Sequence, residues 1–138
     1  PGLRLLFSDL ELYGPFTAGS YVMSTQFIRK NPKTTRHFVT AVGRAIEWAR
    51  AQKPEAVQAR MASIIDRRKR PAEDTSVGKY WRSTGMAQPG GRLAECEFQV
   101  WIDWLIKDGG LKPGQLALND LFTNEFNTAQ PAALSGGS

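Results

Sequence analysis

The Asn31-Pro32 pair is the feature that most constrains what this chain can fold into. Proline breaks a helix that runs into it, yet suits the first helical position, and asparagine before it is a favoured N-cap. The pair therefore divides residues 21–51 into two helical pieces. The first is a single turn, Gln26 to Lys30, with Ser24 or Thr25 as N-cap. The second carries Phe38, Val42, Ala45, Ile46 and Ala49 at steps of three and four, one apolar stripe on a long helix. Arg36, Arg44, Glu47 and Arg50 fall between the stripe positions and suit solvent. Ahead of the pair, Tyr21-Val22-Met23 reads as the end of a strand.

With 138 residues, 41% of them hydrophobic and four tryptophans, the chain can bury the core of one domain and is not charge-rich disorder. No apolar run reaches the 18 or so residues that a membrane span needs. Pro1 is not a natural start and no charged region precedes an apolar one, so the chain reads as a mature, processed or cut piece. A single cysteine, Cys96, allows no internal disulfide and no multi-cysteine zinc site. Its helical spacing from Leu93, Val100 and Trp101 predicts a buried small hydrophobe.

The net charge of +5 fits nucleic acid, an anionic ligand or simply a basic surface. Its densest run, Arg67 to Arg70, follows a helix carrying Met61, Ile64 and Ile65, where cations complement the helix dipole. No aromatic residue interleaves those charges, as a stacking platform for single strands would require. A basic helical nucleic-acid-binding module is therefore the second reading.

In chain order, Leu3 to Phe7 has the length and apolarity of a strand, Asp9 to Glu11 break it, and Gly14-Pro15 turn the chain. Phe16 to Met23 is a second strand-like run, loosened by Thr17, Gly19 and Ser20. Two such strands do not make a stable sheet alone and call for partners. Pro54 opens another helix, with Glu55 in its first turn and Val57, Met61, Ile64 and Ile65 as its stripe. A short helix with Val77, Tyr80 and Trp81 follows, then a turn at Gln88 to Gly91. The last long helix runs from Leu93 to Asp108 with Phe98, Trp101, Ile102, Leu105 and Ile106 on one face, stopped by Gly109-Gly110. Asn119-Asp120 caps one further turn, and Ala129 to Ser138 lacks periodicity.

No catalytic constellation is present in the pattern. His37 has no acid near it in sequence, and Glu95, Glu97 and Asp103 diverge on their helix. HExxH, GxSxG, GxGxxG and phosphate-loop patterns are lacking, so no enzyme, metal or cofactor is expected.

Taken together, the order of motifs resembles the periplasmic substrate-binding proteins of ABC importers, nearest the group for nitrate, sulfonate, taurine and thiamine-precursor ligands. The motifs are LRLLFSD, then Thr25 to Pro32, then Ala45 to Ala56, Trp101 to Leu111, and Leu121-Phe122-Thr123-Asn124-Glu125-Phe126. They cover about residues 1–127.

The resemblance implies the C-terminal half of a two-lobed α/β fold of the type II periplasmic-binding-protein kind. Two N-terminal strands would precede five or six helices, and hinge closure would trap a ligand between the lobes. Residues 1–23 would be return strands and the crossover between lobes, 24–127 a helical covering part, and 128–138 a loose tail. It also implies ligand contacts from the crossover, carried over to Phe16, Thr17, Gly19 and Tyr21, with Tyr13 at the cleft edge. A Thr hydroxyl and backbone N–H groups beside Gly can hold an oxyanion, while Tyr or Phe covers an apolar part. In this sequence Gly19 and its neighbours stand where several relatives with charged ligands place an acid.

The implied partners are a small-molecule ligand and, for the full-length protein, a membrane permease, with no nucleic acid, and the implied location of the full-length protein is the periplasm or, lipoprotein-anchored, the cell exterior. Without the N-terminal half of that fold, the chain would expose sheet edges and apolar helix faces and would pair with another chain, exchange elements into a dimer, or stand free as a rearranged helical domain. An enzyme of the thiamine-precursor branch would need a His or Cys cluster, and His37 and Cys96 lie in helices away from the crossover.

Overall fold

Six helices make up the framework of the computed structural model, which describes residues 4, 6–14, 16–17, 19–76 and 78–129 (of Leu10 the backbone alone). They are α1 (Asp9–Tyr13), α2 (Thr25–Lys30), α3 (Pro32–Arg50), α4 (Pro54–Arg68), α5 (Glu95–Lys107) and α6 (Leu118–Leu121). Two 3-10 turns, Gly78–Tyr80 and Pro89–Gly91, stand between α4 and α5.

The helix boundaries follow from their caps. Ser24 Oγ accepts the Phe27 N–H at 3.2 Å and opens α2. Pro32 is the first residue of α3, but Asn31 closes α2 rather than capping α3 with its side chain. Its backbone N–H and its Nδ2 both donate to the Phe27 carbonyl, at 2.8 and 3.2 Å. Thr35, 2% exposed, secures the first turn of α3 by donating its N–H and its hydroxyl to the Asn31 carbonyl. At the far end of α4, Lys69 takes a left-handed conformation (φ 50°) so that its N–H reaches the Ile65 carbonyl. Gly109 (φ 81°) stops α5, and the Gly110 N–H returns to the Leu105 carbonyl at 2.8 Å.

The α/β expectation is overturned. Among the described residues there is no strand, and those within the two N-terminal strands expected at Leu3 to Phe7 and Phe16 to Met23 form none. The physical reason is the lack of a third partner. A strand is defined by its ladder, two short runs do not sustain one, and the second run is further weakened by Gly19 and small hydroxyl residues. Where a strand was expected to end, the chain instead makes α1 at Asp9–Tyr13. Ser8 and Glu11 nucleate it reciprocally: Glu11 Oε2 accepts the Ser8 N–H at 2.7 Å, and Ser8 Oγ accepts the Glu11 N–H at 3.2 Å. Leu3, Leu5, Val77 and residues 130–138 of the expected tail lie outside the described residues.

Packing is local. α3 rests chiefly on the Pro89–Gly91 turn, α4 on the Gly78–Tyr80 turn, and α5 on α6, where the Phe98 and Phe122 rings stack at 4.6 Å. Among the described apolar residues only Val57, Ile102 and Phe126 are buried, while 15 large ones are exposed, from Leu6 near the start to Leu121 in α6. The helices thus have inward faces but meet few opposing ones. Cys96 is exposed, against the expectation of burial, because α5 turns Phe98, Ile102 and Leu105 inward and presents Cys96 on another side.

Candidate functional site

The loop from Met86 to Ala94 is the hub onto which the rest is tied. Glu47, on the solvent side of the α3 stripe, accepts the Gly90 N–H at 2.6 Å through Oε1. Arg50, one turn later, donates Nη1 to the Gln88 carbonyl at 3.1 Å. From the other side, Asn127 Nδ2 donates to the Gly90 carbonyl at 3.1 Å, and Arg92 Nη1 donates to the Ala129 carbonyl at 3.1 Å. Asn124 pairs with Leu93 in both directions, accepting its N–H at 3.1 Å and donating to its carbonyl at 2.8 Å. Gly43 lets α3 lie close to this loop, since a Cβ there would stand 3.0 Å from the Gly90 carbonyl oxygen.

The segment around Thr17 is moored to the same hub. Its N–H donates to Glu97 Oε1 at 2.7 Å, and its Oγ1 accepts the Ala87 N–H at 3.5 Å. Glu97 is the third residue of α5, and its other oxygen accepts the Ala94 N–H at 2.9 Å. That is half of a capping box, because Ala94 has no side-chain oxygen to return the bond. One carboxylate therefore closes the start of α5 and holds the segment around Thr17.

This arrangement changes what each nominated residue can offer. The Thr17 N–H is committed to Glu97, so an oxyanion at that donor would have to displace a carboxylate. The Thr17 hydroxyl, accepting from Ala87, still has its own proton to give. Gly19 is exposed, with open space where a side chain would be. Tyr13 and Tyr21 are 77% and 72% exposed, and Phe16 is 39% exposed. Tyr21 is fixed by an edge-on contact with Phe38 of α3, ring centroids 5.2 Å apart at 87°. Neither of two open grooves beside α4, of about 490 and 480 Å³, is lined by any of these five residues.

The sequence pattern sets Glu97 among divergent helical acids and gives no sign of this contact. The position of Glu97 three residues after Ala94, at the start of an apolar-faced helix, is an N-terminal signal, but nothing local points to Thr17, 80 residues away. α5 thus brings a carboxylate to the segment around Thr17. Elsewhere, His37 is exposed, and no group of three or more His, Cys, Asp or Glu that could hold a metal ion occurs among the described residues. The basic run is partly answered by acid: Arg68 and Arg70 both place Nη1 3.4 Å from Glu73 Oε1. No helix among the described residues is long and apolar enough to cross a membrane.

No family model, no curated protein and no solved structure matches the chain.

Proposed function

We propose that the chain is part of the solute-binding component of an ABC import system, with Phe16, Thr17, Gly19 and Tyr21, and Tyr13 beside them, as its contribution to the ligand site. The order of sequence motifs supports this reading. The structural observation that carries it is the mooring of Thr17 to Glu97, which holds an irregular, largely solvent-facing segment beside a carboxylate. Two exposed tyrosines and Phe16 offer ring faces and hydroxyl groups, and Gly19 leaves its backbone open to close approach.

The electrostatics refine the ligand class. A simple oxyanion such as nitrate meets repulsion from Glu97 and finds the Thr17 N–H already engaged. A carboxylate that accepts two backbone N–H groups keeps lone pairs for a further donor. The reading therefore favours an organic solute bearing an amine or amino-heterocycle, with an apolar or aromatic part for Tyr13, Phe16 and Tyr21.

Calorimetric titration with nitrate, taurine and an aminopyrimidine tests this. Saturable binding of an amine-bearing solute, weakened at least tenfold by Tyr13→Ala with Tyr21→Ala and absent for nitrate, supports the reading. No heat with any of the three, or binding that the two substitutions leave unchanged, overturns it.

A further inference from the structure

We infer that the exposed face of α5 pairs with the same face of a second copy of the chain, antiparallel, about a two-fold axis beside position 102. Along α5 the residues Glu97, Val100, Trp104 and Lys107 recur at steps of three, four and three, the spacing of a helix–helix seam. The middle of that seam is apolar and open: Val100 is 60% exposed, Trp104 53%, and Trp101 beside them 61%. The two indole rings brace each other edge to face, centroids 6.4 Å apart at 79°, so a rigid aromatic plate faces solvent. Among the helices α5 packs chiefly on four-residue α6, which covers the opposite, Phe98 side.

Charge chooses both the occupant and its direction. The seam begins with an acid, half-buried Glu97, which keeps lone pairs after accepting the Thr17 and Ala94 N–H groups, and ends with a base, exposed Lys107, each five positions from residue 102. An antiparallel copy sets Lys107 against Glu97 twice by symmetry, Trp104 over Val100 twice, and opposes the helix dipoles favourably. A parallel copy would set lysine on lysine and glutamate on glutamate. Each tryptophan has about 100–150 Å² to cover and the valine somewhat less, so each copy buries roughly 300–400 Å². That is under half of the ~800 Å² per partner of a standard stable interface, which makes the dimer weak and concentration-dependent. The inference does not rest on the solute-binding reading, although a solute amine and Lys107 of the second copy would compete for Glu97, and its test contains no solute.

Sedimentation equilibrium of the reduced chain over a hundredfold concentration range should show a reversible monomer–dimer equilibrium. Trp104→Glu, with helix content checked by circular dichroism, should weaken it about thirtyfold or more, the size of a hot-spot loss. Lys107→Glu, at the exposed end of α5, should weaken it even if Trp104→Glu perturbs the fold. Mild oxidation reports direction. The two Cys96 residues of an antiparallel pair are separated by ~18 Å along the helices, too far for a disulfide, whereas a parallel pair sets them opposite. A constant monomer mass, a dimer indifferent to both substitutions, or a Cys96-linked dimer each overturns the inference.

Discussion

The Thr17 N–H and the Glu97 carboxylate meet at 2.7 Å across 80 residues of sequence, and the second oxygen of Glu97 holds the Ala94 N–H at 2.9 Å. Both bonds involve an ionised acceptor, which strengthens each, and both are only partly buried, which tempers it. We expect Glu97→Ala to destabilise the chain by about 1.5–3 kcal/mol. Glu97→Gln should cost less, since an amide has one acceptor oxygen where the carboxylate has two. Denaturant unfolding measures the energies, and hydrogen exchange at the Thr17 amide shows whether the mooring is the bond lost. Equal exchange in all three proteins would remove the mooring from the solute site.

Gly90 concentrates three constraints at one Cα. Its φ of 58° lies in the left-handed region, its N–H and carbonyl are both engaged, and a methyl group there would collide with the Ala129 side chain. Gly90→Ala should therefore cost about 2–4 kcal/mol, combining the backbone penalty with overpacking. Gly19→Ala is the control. Open space surrounds that position, and its effect on stability should stay within about 0.5 kcal/mol. Similar losses at the two sites would mean that the Met86–Ala94 hub does not organise the fold.

These two sites show what could be read from sequence. The Ser24 cap, Pro32 and Pro54 at first helical positions, and the Gly109 stop are local devices, legible because each acts within a few residues. The Ser8–Glu11 box is equally local and favours α1, although the apolar run before it has the pattern of a strand. Strand formation is a property of pairs, so Tyr21 to Met23 could look strand-like and remain without a ladder. Glu97 looked like a surface acid because its partner, Thr17, is distant in sequence. Cys96 fell at helical spacing from apolar neighbours, yet those neighbours, Val100 and Trp101, are themselves exposed.

Asp74 gives a pH-dependent signature in the loop after α4. Its side chain accepts the Ser76 N–H at 2.7 Å, and the bonds from the Ser76 side chain and backbone hold its carboxyl below the usual carboxylate range. A depressed folded-state pKa means that this contribution is fully present above the ordinary range, near pH 4, and is lost as pH falls through the lower folded value. An NMR titration should show the Ser76 amide shift moving with Asp74 below that ordinary range. Asp74→Asn should abolish the step. A Ser76 amide that titrates with an ordinary carboxylate midpoint would show that the turn does not hold in solution.

The most direct test of the proposed function is amide chemical-shift mapping on the labelled chain during titration with an aminopyrimidine, with nitrate as the comparison. Binding at the crossover predicts saturable shifts at Tyr13, Phe16, Thr17, Gly19 and Tyr21 and at Glu97, with none from nitrate. Shifts confined to the grooves beside α4, or none at any concentration, would contradict a solute site at the crossover.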